Sequence, residues 1–463
     1  MSIYHTVRRL FTEETPPLDP RAGGRRTDGR AEHRLRRDAE SILRAAIAAV
    51  DPEELVVQAM ATHARTIPAD GRLWVAGFGK AVIPMARGLH RVVGDRVAGA
   101  VLIAPVGAQA YVGPQFDVFS AGHPLPDQGG EAGARAVRQL AAEAEAGDLL
   151  ICLVSGGGSS LLTLPPDDVP LEEVRIVTDL LLRSGAEIDE INCVRKHIDM
   201  LKGGRLAREA APARVLSLVL SDAADNATEI VASGPTVPDP SRFADALAVL
   251  KRYDLWKQVP LAVRGWLDRG RCGEIDDTPE RNDTVFLNTS NVIIGDGQMA
   301  AGAARWAAER LGYETQVLTT ALGGAAEEAG CFLAETARIV RAAQSPEPYP
   351  TCLITTGETS LRSRDSRYGS RNQQLALAAA LRIDRLDGAL VASMGTDGFD
   401  GWCDAAGAIA TGTTIERARS AGLDCAAALA DGRATSIFER LDDQIVSGPT
   451  GTDVADIQIV LMA

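Results

Sequence analysis

Four short apolar runs, Leu73–Ala76, Ala100–Ala104, Leu149–Val154 and Val215–Leu220, alternate with segments whose apolar residues recur at helical spacing. This alternation constrains the fold more than any other feature, because strands that alternate with amphipathic helices assemble into parallel sheets. The runs end in loops rich in glycine, serine or aspartate, at the sheet edge where α/β folds bind ligands. Ordered structure is expected from about Arg34, where Leu35, Ile42, Leu43, Ala46 and Ile47 share a helical face ahead of Asp51-Pro52.

A turn- and charge-rich stretch from Gly270 to Asp283 reads as a boundary, and a second alternating block follows it. Its expected elements are strands Val285–Phe286 and Val292–Ile294, helix Gly297–Leu311, strand Thr315–Leu318 and helix Ala325–Arg341. After a break at Pro346, Pro348 and Pro350 come strands Cys352–Thr355 and Ala389–Ser393. A chain of 463 residues exceeds one ordinary core. Two α/β domains are therefore expected, over 37–283 and 284–463, behind a flexible Arg-rich tail at 1–36.

Charge and composition narrow the function. A net charge of −14 and an aromatic content of 4% argue against a nucleic-acid partner, which would require a basic surface or stacking platforms. Seven cysteines, odd in number and without a C-x-x-C pair, suit reduced, buried thiols in the cytoplasm. No apolar run approaches the ~18 residues of a membrane helix. The tail lacks an apolar signal core, and Glu13, Glu14, Asp19, Asp28 and Glu32 disfavour a transit peptide. The 48 basic residues include only five lysines, and three of these (Lys80, Lys196 and Lys202) stand in glycine-bearing or polar motifs. A compact ammonium suits a phosphoryl group that moves, whereas a planar guanidinium suits a fixed grip.

Ser155-Gly156-Gly157-Gly158-Ser159-Ser160 follows an apolar run, and three glycines let successive N–H groups turn inward as an anion nest. G-x-S-x-G is not satisfied, so a serine nucleophile is disfavoured. Gly77-Phe78-Gly79-Lys80-Ala81 places a lysine at a helix N-terminus, where dipole and ammonium act together on an anion. It is not a dinucleotide fingerprint, because Val82 stands where the third glycine belongs. Nor is it a P-loop, which needs glycine at Trp74 and Ser or Thr at Ala81. Asp222, Glu358 and Asp397 each follow a strand and are candidate Mg²⁺ ligands or bases, since Mg²⁺ needs few protein carboxylates. Arg371, in Gly369-Ser370-Arg371-Asn372, opens an apolar helix and is a candidate clamp for a carboxylate or phosphate. His123 and His197 have no second ligand at metal spacing.

Together these motifs resemble the MOFRL-type glycerate 2-kinases, from about Ala39 to the C-terminus. The resemblance rests on GFGKA from Gly77, GHPLPD from Gly122, SGGGSSLL from Ser155, NCVRKHIDMLKGGRLA from Asn192 and SGPTVPDP from Ser233. TGETSLR from Thr356, GSRNQQLALAAA from Gly369, GTDGFDG from Gly395 and GPTGTDVADI from Gly448 follow in the family's order. It implies an N-terminal Rossmann-like domain and a C-terminal MOFRL-type α/β domain with the active site in the cleft between them. The implied reaction is transfer of the γ-phosphoryl of ATP, with Mg²⁺, to the 2-hydroxyl of D-glycerate.

Carried over position by position, Lys80, Asp222, Glu358 and Arg371 match residues implicated in catalysis. Ser155, Gly156, Gly157, Gly158, Ser159, Ser160 and Lys196 fall on phosphate-binding motifs. Arg371, Asn372 and Asp397 are the expected substrate contacts, and Asp222 and Asp397 the expected metal ligands. ATP and a small sugar acid are the implied partners, and a homodimer is possible. The alternatives are a kinase for another sugar acid, an NAD(P)-dependent hydroxypyruvate reductase and a non-catalytic sugar-acid-binding relative. Departures from the family pattern occur at Asp225-Asn226-Ala227, where glycine and two acids are usual, at Gln374 in place of an acid, and at Asp199 in place of serine.

Overall fold

The computed structural model describes residues 29–108, 111–223, 229–343, 349–361 and 369–463. The chain divides into two compact units, one of residues 51–296 and one of residues 1–50 with 297–463.

In the unit of residues 51–296, six parallel strands form one sheet in the order β3-β2-β1-β4-β5-β6. They are β1 (Leu73–Phe78), β2 (Val97–Pro105), β3 (Phe116–Ala121), β4 (Leu149–Val154), β5 (Arg214–Leu220) and β6 (Thr289–Gly295). Every residue of β1 and β4 is buried, as expected of central parallel strands covered on both faces. The direction of winding reverses between β1 and β4, and a doubly wound sheet opens a ligand crevice at such a point. Phe78 pairs with Val154, and Val154 with Val219, so β1, β4 and β5 end level with one another. The loops that follow them therefore share one sheet edge.

In the second unit, β7 (Glu314–Thr319), β8 (Thr351–Gly357), β9 (Ala389–Gly395), β10 (Gly407–Thr411), β11 (Gln444–Ile445) and β12 (Asp456–Met462) form a mixed sheet ordered β11-β10-β9-β12-β8-β7. The C-terminal strand β12 lies antiparallel between β8 and β9, with Asp456 opposite both Gly357 and Gly395. The start of β12 thus meets the ends of β8 and β9.

Three sequence expectations require correction. Thr284–Asn288 is a 3₁₀ turn capped by Asp283, not a strand over Val285–Phe286, because the carboxylate takes the Val285 amide at 3.2 Å. The boundary at 283/284 is also displaced: β6 pairs in parallel with β5 and completes the first sheet. The first helix, Gly29–Ala49, belongs with residues 297–463, where Tyr313 donates to Asp38 at 2.9 Å. Residues 29–36 are accordingly helical, and Glu32 accepts hydrogen bonds from Thr411 at 3.0 Å and Thr413 at 2.8 Å. Residues 1–28 of the expected tail lie outside the described residues. The cysteines are all free, but only Cys152, Cys193, Cys352 and Cys425 are buried. No helix among the described residues is long and apolar enough to cross a membrane.

Candidate functional site

The expected site residues fall into two groups, one on each unit. On the doubly wound sheet, β1 and β4 deliver Lys80 and the glycine loop to the same place. The Ser155 amide donates to Phe78 O at 3.2 Å, the Lys80 amide to Gly156 O at 2.9 Å, and the Ala81 amide to Ser155 Oγ at 3.0 Å. Gly79 and Gly157 are required by conformation and space. Both have φ in the left-handed range, at 132° and 78°. A Cβ at Gly79 would fall 2.2 Å from Ser155 Oγ, and one at Gly157 would fall 3.2 Å from Lys80 Cγ and 3.1 Å from His123 Cδ2. The lysine stem therefore runs along the loop.

The loop hydroxyls do not all face outward, as a nest would use them. Ser155 Oγ is consumed by the Ala81 amide, and Ser160 Oγ donates back to Gly157 O at 3.1 Å. The Gly156 and Gly157 amides have no hydrogen-bond partner among the described residues and remain as anion donors. Ser159 Oγ shares a 2.9 Å hydrogen bond with Ser233 Oγ, which donates to Asn192 Oδ1 at 2.8 Å. Ala232, Ser233 and Gly234 all have positive φ, a cost of ~1–3 kcal/mol per non-glycine residue that persists where surrounding structure enforces it. Asp222 follows β5 on the same edge as the glycine loop. The departures at Asp225, Asn226 and Ala227 lie outside the described residues.

Lys196 and Lys202 are each paired with a buried carboxylate. Lys196 is buried and ion-paired with Asp239 at 3.4 Å, an acid that sequence reasoning passed over. Lys202 is fully buried and held by Asp199 at 2.5 Å, by Thr163 Oγ1 at 3.3 Å and by Leu162 O. The departure at Asp199 thus supplies a counter-ion to a buried ammonium and also caps the Leu201 amide at 2.8 Å.

On the mixed sheet, Glu358 follows β8, Asp397 follows β9, Asp456 opens β12, and Arg371 opens the helix Arg371–Arg382. Asp400 caps this helix, taking the Asn372 amide at 2.9 Å and the Gln373 amide at 2.8 Å. Arg371 grips Asp456 bidentately, Nε to Oδ2 at 2.9 Å and Nη2 to Oδ1 at 3.2 Å, and its Nη1 pairs with Glu358. The Asp456 side chain is 1% exposed and that of Glu358 is 50% exposed, so one partner is fixed and the other can be exchanged. Asp456 is a residue the sequence did not single out; its only signal was its place in the last shared motif.

Asn372, an expected substrate contact, is buried, and its Oδ1 accepts a hydrogen bond from Ser393 Oγ at 2.5 Å, which ties the start of the helix to β9. Asp397 Oδ1 accepts the Phe399 amide at 3.0 Å in the turn after β9. Gln374 does not face this cluster. It donates to Glu327 at 3.1 Å and to Leu429 O at 2.6 Å, and an acid in its place would oppose Glu327.

Three carboxylates, Glu358, Asp400 and Asp456, surround one guanidinium. Burial, joined by the charges of Glu358 and Asp400, pushes Asp456 up to about 7 against the pull of Arg371. Burial also raises Asp400, although the Asn372 and Gln373 amides oppose it. An acid whose pKa is raised by folding contributes stability that is present below its unfolded value near 3.8 and lost as pH rises through about 7. The Asp456→Asn variant cannot ionise there. Its unfolding midpoint should therefore fall less between pH 5 and pH 8 than that of the parent, as read by thermal denaturation; equal falls would contradict a proton at Asp456.

Both units match known protein families. Residues 38–268 match a domain of unknown function (DUF4147), and residues 351–456 match the MOFRL family. The chain is 35% identical to the glycerate 2-kinase of Pyrococcus horikoshii, over 90% of this chain and 95% of that one. It is 34% identical to the D-glycerate 2-kinase of Thermotoga maritima, over 92% and 98%. A putative hydroxypyruvate reductase of Agrobacterium vitis is also 34% identical, over 91% and 93%. The crystal structure of the Thermotoga maritima glycerate kinase superposes with a TM-score of 0.81, covering 93% of this chain and 100% of that one. With such identity over nearly the full length of both chains, and both domain types in order, this chain belongs to the MOFRL-type glycerate 2-kinase family.

Proposed function

We propose that the chain transfers the γ-phosphoryl of ATP to the 2-hydroxyl of D-glycerate. The observation that carries this reading is the junction of Lys80 with the glycine loop at the β1/β4 switch point, fixed by the 2.9 Å bond from the Lys80 amide to Gly156 O. Phosphoryl transfer asks little covalent chemistry of a protein and depends on positioning and charge neutralisation. Lys80 follows the transferring group, while the Gly156 and Gly157 amides hold its oxygens. Arg371, held in place by Asp456, receives the acceptor carboxylate when that group takes the place of the exposed Glu358.

Among the described residues no three His, Cys, Asp or Glu side chains gather as a metal cage. That fits Mg²⁺, which typically takes one or two carboxylates with phosphate oxygens and water. Asp222 is the candidate to hold it on the first unit and Asp397 the candidate on the second, and when bound it would neutralise charge on the phosphate oxygens. Activity should fall to background in EDTA and return with added Mg²⁺; transfer that persists without metal would contradict these assignments.

The reductase reading fares worse on one observation. A Cβ at Gly77 would lie 2.6 Å from Val82 Cγ2, so Val82 packs over the turn where a third fingerprint glycine belongs. The deciding experiment sets ADP release with D-glycerate against NADH oxidation with hydroxypyruvate. ADP release alone is the expected result, and NADH oxidation without ADP release would replace the kinase with the reductase.

A further inference from the structure

The helix Ile188–His197 carries a buried charge for which the kinase reading has no use. Arg195, Lys196, Lys202 and Arg205 are all buried, and the buried carboxylates beside them are Asp199 and Asp239. Asp199 is taken by Lys202 at 2.5 Å and by the amides of Leu164, Leu201 and Lys202. Asp239 is taken by Lys196 at 3.4 Å and by Ser241 at 2.8 Å. Arg205 donates to the carbonyls of Lys196 at 2.5 Å and Asp199 at 3.2 Å.

Arg195 has nothing comparable. It is 9% exposed, and its guanidinium makes no hydrogen bond or ion pair with any described residue. Burial alone pulls its pKa down to about 10, with no neighbouring acid in opposition. A buried charge without a partner is strongly unfavourable, and folds retain one where something else neutralises it.

Arg195 lines a small pocket of about 10 Å³, partly open to solvent, together with Ser159, Ser160, Thr163, Thr178 and Lys202. Asp199, the one carboxylate in its wall, is already engaged by Lys202. The remaining polar wall consists of hydroxyls and cations. A water molecule would fit the space and satisfy hydrogen bonds, but it would leave the charge uncompensated.

We propose that this cavity is an oxyanion subsite, in which Arg195 grips a terminal oxygen of a phosphoryl or carboxylate group. The volume admits about one water-sized atom, so the subsite takes the tip of such a group and not its body. Ser159 and Ser160 belong to both the cavity wall and the glycine loop. The hydrogen-bonded chain from Asn192 through Ser233 to Ser159 ties the helix that carries Arg195 to that loop. Naming the oxyanion as a group of ATP or of the acceptor rests on the kinase reading, whereas the existence of the subsite does not.

The test uses the full chain with inorganic phosphate as probe and sodium chloride at matched ionic strength as control. Phosphate should raise the melting temperature of the parent protein and should shift Arg195→Met clearly less, the remaining shift coming from phosphate held by Lys80 and the Gly156 and Gly157 amides. Without phosphate, Arg195→Met should melt at or above the parent temperature, because it removes an uncompensated buried charge; a purely structural arginine would give the opposite. Arg195→Lys should keep part of the phosphate shift. In turnover, Arg195→Met should raise one KM by roughly ten- to a hundredfold, the worth of a charge-assisted hydrogen bond. A change confined to ATP identifies a phosphoryl oxygen, and one confined to D-glycerate identifies the carboxylate. The subsite is overturned by the absence of a phosphate shift in the parent, by an equal shift in Arg195→Met, or by a variant that melts lower without phosphate. A phosphate shift in a protein that turns over no D-glycerate would leave the subsite standing and reject the kinase reading.

Discussion

Lys80→Ala is expected to lose turnover on the order of 10²-fold or more while the protein stays folded. The ammonium stem passes the glycine loop at the switch point and is only partly buried, so its removal opens no core cavity. The loss should appear in kcat, because charge on the transferring phosphoryl is met most strongly in the transition state. Lys80→Arg should recover little of it, since a planar fork cannot follow a moving group as a compact ammonium does. Far-ultraviolet dichroism and the melting temperature provide the folding control. A folded Lys80→Ala enzyme with native kcat would remove Lys80 from the mechanism, and a fast Lys80→Arg enzyme would overturn the argument from ammonium shape.

Arg371→Ala is expected to damage stability as well as activity. The guanidinium keeps an exposed edge, but its partner Asp456 is buried and bound at 2.9 and 3.2 Å. Truncation strands that carboxylate beside Asp400, and leaving a buried charge unpaired costs about 3–5 kcal/mol. Urea denaturation at pH 8 should show the loss. At pH 5 much of it should disappear, because burial pushes Asp456 up to about 7 and lets it take up a proton. The Arg371→Met, Asp456→Asn double variant should regain stability at pH 8 without regaining turnover. An Arg371→Ala protein as stable as the parent at pH 8 would show that Asp456 does not depend on the guanidinium.

Much of the first sheet was legible in the sequence. Leu149–Val154 is a strand at both of its expected ends, because an apolar run closed by three glycines has few other uses. The meeting of Lys80 with the glycine loop follows from the same logic, since both terminate strands that a doubly wound sheet sets side by side. Other features were hidden because distant residues decide them. β12 looks like an apolar tail, and only its pairing with β8 and β9 makes it central and puts Asp456 against Arg371. Lys196 and Lys202 resemble Lys80 in sequence, yet Asp239 and Asp199 neutralise them in the fold. Arg195 is one guanidinium among many until burial shows that it alone of its cluster lacks a partner. The start of the first helix was missed because the arginine-rich stretch reads as solvated, although Glu32 and Leu35 dock it at the end of β10 and in the core.

Phosphorus NMR of the product made from ATP and D-glycerate tests the central claim most directly. Phosphorylation at the 2-hydroxyl attaches phosphorus to a carbon bearing one proton, and the proton-coupled signal should be a doublet. It should appear only with both substrates and Mg²⁺, and should be nearly absent with Lys80→Ala. A triplet, the mark of a methylene carbon, would move the reaction to the other hydroxyl, and no new phosphoester signal at all would contradict the kinase assignment.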